Sequence, residues 1–183
     1  MTASHRIVPI HSEEDILPAW RGTPVGDLIR YHNLGASPKG YNSAELLIGM
    51  CMDNRKRLNI PDNFAFILRS GGANLRRVEF KVSYAIAVGG VKAVTLIGHD
   101  DCGMVGLPAR REDFIRGLVG RAGWTTAAAA EHFDAHMAEF EIGNSADFVL
   151  QEAERLGKRY PGIPVAPLYY SVSDGMLHHV VRV

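Results

Sequence analysis

The sequence predicts an α/β fold, in which a mainly parallel central sheet is flanked by helices in three layers. Three short apolar segments, at residues 46–52, 64–68 and 93–97, have the length and composition of buried strands. Between the second and third segments, apolar residues recur at helical spacing. The strand segments are apolar at nearly every position, which is typical of parallel strands covered on both faces.

The N-terminal segment, residues 1–43, precedes this pattern and has a different composition. Because it contains Pro9, Pro18, Pro24, Pro38 and several glycines, we expect an irregular arm with at most a short helix over residues 25–32. An arm of this length needs a surface to lie against. We therefore expect one domain, residues 1–183, made of this arm and an α/β core over residues 44–183.

The core begins with strands joined by a helical crossover. The strand at residues 64–68 has turn-forming residues on both sides. A helix follows, which Gly89 and Gly90 end before the strand at residues 93–97. Its apolar face is formed by Val78, Val82, Ala85 and Ile86. A crossover of this kind joins parallel strands.

The second half of the sequence is richer in helical patterns. One helix is expected to begin at Thr125 or Thr126 and another at Ser145, because these residues can cap a helix N-terminus. A final strand is expected over residues 165–172. The chain then turns and returns over residues 177–181 as a hairpin at the sheet edge.

Composition and charge narrow the function classes. The chain has 183 residues, 46% of them hydrophobic, and its 20 basic and 20 acidic residues cancel. It therefore lacks the positive charge expected of proteins that bind nucleic acids or membrane surfaces, and a small-molecule substrate or a protein partner is favoured. No apolar run has the length of a membrane span or the pattern of a secretory signal, so the expected location is the cytoplasm.

The chemically suggestive residues lie where the predicted strands end. Cys51, Asp53 and Arg55 alternate after the first strand, so their side chains can point to one face. His99 and Cys102 follow the third strand. Ligands of parallel sheets bind outside the carboxyl ends of the strands. If the first and third strands are neighbours, both cysteines and the histidine can meet there.

This set of residues favours a metal site. Cys51 and Cys102 are the two cysteines of the chain, and in a reducing compartment such a pair is more often metal-binding or catalytic than bridged, although one disulfide is an alternative. Two thiolates and one imidazole are a known ligand set for catalytic zinc, with the fourth position left to solvent. Taken alone, His99 and Cys102 also fit a structural histidine and a buried cysteine. The combination with Cys51 favours Zn²⁺.

Together these motifs resemble the beta-class carbonic anhydrases. The likeness rests on Cys-x-Asp-x-Arg after the first strand, a glycine-rich loop after the second and Gly-His-x-x-Cys-Gly after the third. It is close over residues 45–104 and weaker over residues 144–177, whereas residues 1–43 and 105–143 have no clear counterpart. Asn54 stands where the family has serine, and the loop at residues 69–74 is one residue longer.

The resemblance implies a zinc lyase that interconverts CO₂ and bicarbonate and assembles as a homodimer or a larger homo-oligomer. It implies that Cys51, His99 and Cys102 hold the zinc ion and that Asp53 and Arg55 are catalytic. A carboxylate only accepts hydrogen bonds, so Asp53 can orient the attacking water, and Arg55 can hold Asp53 by a bidentate contact. An ordinary ion pair is the alternative for Asp53 and Arg55.

Two other functions fit the same residues. The zinc site can act on carbonyl sulfide or carbon disulfide, a change of substrate known within the family. Alternatively, the chain is a structural or redox-sensing zinc module in which His32, His132, His136 or Asp53 supplies a fourth ligand. No nucleotide cofactor is expected, because the Gly71-Gly72 loop lacks the full dinucleotide fingerprint.

The remaining histidines and aspartates have plainer interpretations. His132 and His136 stand four apart on a predicted helix, a spacing that suits a metal ion or a proton relay but more often places exposed histidines on a solvated face. The adjacent pair Asp100 and Asp101 is expected to shape a turn. The pair at residues 178–179 is expected to lie at the surface or in an interface.

Overall fold

The computed structural model describes residues 5–183 and is built around a single sheet. Its strands are β1 (His5–Val8), β2 (Leu46–Met50), β3 (Ala65–Arg69), β4 (Ala93–His99), β5 (Val165–Tyr170) and β6 (Leu177–Arg182). They lie side by side in the order β1-β6-β5-β4-β2-β3. Strands β2 to β5 are parallel, and β6 is antiparallel to both of its neighbours. The predicted mainly parallel α/β fold is thus confirmed.

Helices cover both faces of this sheet. They are α1 (Pro24–Leu34), α2 (Glu79–Ala87), α3 (Arg111–Ala122), α4 (Thr126–Phe140) and α5 (Ser145–Arg159). Helix α1 packs on one face, and α2 and α5 pack on the other. Among residues 5–183, no helix combines the length and the hydropathy that a membrane span requires.

The side chains of β2 show how one apolar strand serves two cores. Leu46, Ile48 and Met50 belong to the apolar cluster on the α1 face. Leu47 and Cys51 belong to the cluster that includes α2 and α5. Because successive side chains of a strand point to opposite faces, a strand buried on both sides is apolar throughout.

The pairing of β2 with β4 confirms that the first and third predicted strands are neighbours. Their register places Met50 opposite Ile97. Strand β3 lies on the other side of β2, and α2 crosses over from β3 to β4. The order of the strands therefore reverses between β2 and β4, and the open end of this boundary is where α/β sheets bind ligands.

The N-terminal segment is more ordered than its composition suggests. The expected short helix is confirmed as α1, whose first turn is capped by Thr23 through a bond from the Gly26 N–H. The strand β1 was not predicted, because four residues beside several prolines carry little periodicity. Since β1 pairs with β6, the prediction that residues 177–181 form the sheet edge is wrong.

The later helices follow the predicted pattern with two differences. Thr125 caps α4 as expected, but Asn144 caps α5 in place of Ser145, accepting bonds from the N–H groups of Ala146 and Asp147. Helix α3 was not predicted. It has only one buried residue, Ile115, so its apolar periodicity is weak.

Residues 178–179 were expected at the surface or in an interface, and the surface part of this expectation is wrong. His178 is 7% exposed and His179 only 1% exposed. The Leu17 N–H donates to Nε2 of His179 at 3.2 Å, so this nitrogen must be unprotonated. Burial lowers the pKa of His179 from the usual 6.5 to about 4.

We predict that His179 makes the fold sensitive to acid. The pKa of His179 is lower in the folded than in the unfolded chain. At pH 7 the imidazole is neutral in both states and costs little stability. As the pH falls from 6.5 towards 4, the unfolded chain binds a proton that the folded chain does not, which favours unfolding. This group alone should remove roughly 2 kcal/mol of unfolding free energy between pH 7 and pH 5. Urea unfolding of the wild type and His179→Gln across this range should show a smaller loss in the variant, and equal losses would contradict the assignment.

Candidate metal centre

Three predicted ligands meet at the carboxyl end of the β2–β4 boundary. Cys51 follows β2, His99 ends β4 and Cys102 lies in the loop beyond it. Their ligand atoms all lie within 4.8 Å of one another, and the two Sγ atoms are 4.0 Å apart. All three residues are buried, and the cysteines are free thiols. This spacing allows one ion to contact all three side chains.

The imidazole of His99 is oriented for coordination. Its Nδ1 lies 2.7 Å from the carbonyl oxygen of Asp100. Because a carbonyl oxygen only accepts, Nδ1 carries the proton and Nε2 of the neutral ring keeps its lone pair. Nε2 is buried and has no hydrogen-bond partner within residues 5–183. An unpartnered imidazole nitrogen beside two thiols fits a bound zinc ion.

Helix α5 fixes the backbone that carries this imidazole. The His99 N–H donates to the Ser145 hydroxyl at 2.9 Å. This close approach requires glycine at position 98, because a Cβ there would lie 2.9 Å from the Ser145 carbonyl oxygen. Since Asn144 caps the helix, the Ser145 hydroxyl is available for His99.

The pKa values of the two thiols are shifted in opposite directions by their surroundings. The pKa of Cys51 is lowered, first by the hydrogen bond shared with Cys102 and then by His99 and nearby backbone N–H groups. The same shared bond and burial raise the pKa of Cys102. Among the backbone groups that lower the pKa of Cys51 is the Gly72 N–H, which lies 3.3 Å from the Cys51 sulfur. The pair therefore loses one proton readily, and a cation is needed to stabilise the second thiolate.

The predicted pair Asp53 and Arg55 forms beside the cluster. The guanidinium contacts both carboxylate oxygens, with Nη2 2.6 Å from Oδ2 and Nε 3.1 Å from Oδ1. The Arg55 backbone N–H also donates to Oδ1 at 2.9 Å. These hydrogen bonds from Arg55 hold the pKa of Asp53 well below its usual range. Arg55 further binds Asp101 at 2.8 Å, which connects the loops after β2 and β4.

Two residues near this pair were not assigned any role from the sequence. Arg69, the last residue of β3, donates to the carbonyl oxygens of Cys51, Asp53 and Lys56 and so holds the loop after β2. Its position at the end of a parallel strand was a usable signal. Lys56 is buried beside Asp53. Nothing in the sequence indicates that Lys56 is buried, because lysine is usually exposed.

The other candidate ligands lie outside the cluster. Both ring nitrogens of His32 are engaged elsewhere, by Gly175 O and by the Asn59 N–H. Asp100 lies in a turn, as expected, and its carboxylate accepts a bond from the distant Val172 N–H. His132 and His136 pack against each other with ring centroids 4.9 Å apart. Within residues 5–183, the group placed to hold a metal ion therefore comprises Cys51, His99 and Cys102.

An apolar cavity of about 500 Å³ is lined by residues near Cys51 and Cys102 in sequence, although not by the cluster residues themselves. Three of its residues belong to loops at the sheet edge: Met52, Gly71 and Met104. Most of the remaining wall comes from α3, α4 and the turn before them: Leu107, Phe114, Phe133, Met137 and Phe140. His132, His136 and Arg77 add polar groups. Residues 105–143 thus form one side of this cavity.

Comparison with known proteins agrees with this architecture. No protein-family model and no curated protein matches the sequence, whereas many solved structures match the fold. A beta-carbonic anhydrase of Trichomonas vaginalis has a TM-score of 0.60 at 16% identity, covering 81% of this chain and 90% of that one. The carbonic anhydrase of Streptococcus mutans has a TM-score of 0.57 at 18% identity, covering 80% and 88%. A carbon disulfide hydrolase has a TM-score of 0.53 at 20% identity, covering 81% and 82%.

These likenesses show the fold. The chain has the α/β fold of the beta-class carbonic anhydrases, and the resemblance in sequence motifs is matched by a Cys-His-Cys cluster in the structure.

We predict that Ser145→Ala weakens both the fold and the metal site. The change leaves the buried His99 N–H without an acceptor, which should cost about 1–3 kcal/mol of unfolding free energy. Zinc affinity should also fall, because the backbone of a ligand is released. Ser173→Ala, in an exposed turn, is the control. Urea unfolding and competition with a chelator measure the two effects, and equal values for both variants would contradict this role of Ser145.

Proposed function

We propose that the protein is a zinc enzyme of the beta-class carbonic anhydrase type that interconverts CO₂ and bicarbonate. The main support is one arrangement: a buried Cys51–His99–Cys102 cluster with an unpartnered imidazole nitrogen, next to an ionised Asp53 held by Arg55. Such a donor set suits zinc with one position left for solvent. Bound zinc supplies a Lewis acid that makes water nucleophilic near neutral pH.

In this proposal the chain positions the reactants. Cys51, His99 and Cys102 hold the ion, with the His99 tautomer set by the Asp100 carbonyl. Asp53 is ionised and can only accept, so it orients the proton of the attacking water. Arg55 keeps Asp53 in place through both oxygens, and its contact with Asp101 restricts Arg55 itself.

The apolar cavity supports a small uncharged substrate. CO₂ needs no charged partner to enter a space lined by methionine, leucine and phenylalanine. The same observation favours a second candidate reaction, the hydrolysis of carbonyl sulfide or carbon disulfide, since these molecules are also linear, uncharged and apolar. A carbon disulfide hydrolase has the same fold.

We further propose that the protein works in the cytoplasm. The ligand set needs both cysteines as thiolates, and both are free thiols in the structure. The cytoplasm keeps thiols reduced.

We also propose that the chain forms a homodimer or a larger homo-oligomer through β3 and α2. Within residues 5–183, β3 pairs only with β2, so its outer edge presents free backbone groups. Large apolar side chains are exposed along this edge and on α2: Phe66, Ile67, Phe80, Tyr84 and Val88. An apolar edge strand can pair with its own copy about a twofold axis, which would bury this patch on both chains.

The first test combines metal analysis with stopped-flow CO₂ hydration. The purified protein should contain one zinc ion per chain and be active. Cys102→Ala should lose zinc and activity, and Asp53→Asn should keep zinc but lose roughly 100-fold or more in kcat, because an amide no longer acts as a charged acceptor. The control Asp62→Asn changes an aspartate before β3 and should match the wild type.

Two outcomes would overturn the proposal. A wild-type protein that binds no zinc would exclude the metal site. A zinc protein that hydrates CO₂ slowly but releases sulfide from carbonyl sulfide or carbon disulfide, with the same dependence on Asp53, would replace the first reaction by the second.

We predict that Phe80→Glu weakens self-association. Phe80 is 81% exposed at the centre of the proposed contact, and a buried charge would oppose pairing of two copies. Sedimentation velocity should show a lower molar mass for this variant than for the wild type. Val119→Glu, at a 37% exposed apolar position on α3 outside the proposed contact, is the control. A monomeric wild type would contradict the proposed assembly.

A further inference from the structure

Lys56 is a buried ammonium group without a hydrogen bond. Its residue is 1% exposed, and its Nζ has no hydrogen-bond partner within residues 5–183. An ammonium group carries three donors and is strongly hydrated in water. Burial of an ammonium group is costly unless negative charges lie nearby. The charged groups around Lys56 therefore indicate what its charge does.

The groups that face Lys56 are mostly negative. Its Nζ lies 4.0 Å from Oδ1 of Asp53. Burial lowers the pKa of Lys56, and Arg69 acts in the same direction, whereas Cys51, Asp53 and Cys102 act to raise it. The ammonium is thus buried close to Asp53 and near the two thiols of the ligand cluster.

Asp53 therefore has two cations near its carboxylate, and their surroundings differ. The Arg55 side chain is 40% exposed and is shared with Asp101. The Lys56 side chain is 0% exposed. Because solvent screens an exposed charge more than a buried one, Lys56 acts on Asp53 with little screening despite the longer distance.

We propose that Lys56 is a positioning residue, whose buried ammonium holds Asp53 on Arg55 and away from the metal ligands. This inference rests on the proposed zinc site. Carboxylate oxygens are ordinary zinc ligands, and Asp53 is only two residues from Cys51. Without the charge of Lys56, the carboxylate would lose its buried counter-ion, and the metal ion would become its strongest competing partner.

The test uses the full chain loaded with Co²⁺, whose visible spectrum reports the number and type of ligands. The variants are Lys56→Met, Asp53→Ala and the double variant. Methionine keeps the length of the side chain without the charge, and Arg69 continues to hold the backbone of the loop. Lys92→Met removes an exposed lysine that pairs with Glu45 and is the matched control.

We expect Lys56→Met to change the Co²⁺ spectrum as Asp53 joins the ligands, and to lower kcat for CO₂ hydration by roughly 10- to 100-fold. The double variant should have the spectrum of Asp53→Ala alone, because the spectral change requires the carboxylate. Lys92→Met should match the wild type in both measurements. Should Lys56→Met not fold, Lys56→Gln removes the same charge and is expected to give the same spectral change.

A Lys56→Met or Lys56→Gln spectrum identical to that of the wild type would overturn the inference. So would a spectral change that persists in the double variant. Failure of the proposed function is distinguishable, because in that case the wild type itself would bind neither Zn²⁺ nor Co²⁺. The spectrum also reports on Lys56 when the substrate is a sulfur analogue of CO₂.

Discussion

The parallel pairing of β2 with β4 is the constraint on which the site depends. It brings the carboxyl ends of two strands that are far apart in sequence to one edge of the sheet. Cys51 and His99 lie one and two residues beyond the paired residues Met50 and Ile97. The loop after β4 then needs only three residues to return Cys102 to the same point. Both strands are buried on both faces, which makes the register costly to change. The geometry of the ligands is therefore a consequence of the core.

Charge balance is the second constraint. Two thiolates in an apolar environment are unfavourable unless a cation lies between them, and a divalent ion matches them in charge. Asp53 and Asp101 are matched by Arg55 and Lys56, one of which is exposed and the other buried. A site neutral as a whole can remain buried, while Asp53 stays ionised, as the proposed function requires.

The strands and the candidate ligands can be predicted from the sequence, because both depend on local patterns. Apolar runs mark β2, β3 and β4, and chemical residues at their ends mark the site. Other features depend on tertiary contacts. A histidine of an edge strand is expected at the surface, but β6 is not an edge strand and the His179 ring is buried in contact with the Leu17 N–H. Lys56 follows a charged run and has no periodicity that indicates burial. Ser145 was expected to cap a helix and instead binds His99, since Asn144 provides the cap.

The helices α3 and α4 separate two properties of the site. The ligands and the pair Asp53 and Arg55 come from loops at the sheet edge, which the core fixes in place. Most of the cavity wall comes from the inserted helices, whose residues include Phe114 and Phe133. Helix α3 packs on α4 and has little contact with the sheet. Under the proposed function, changes in this wall are expected to alter which apolar molecule enters without moving Cys51, His99 or Cys102, so reactive chemistry and substrate choice would be determined by different parts of the chain.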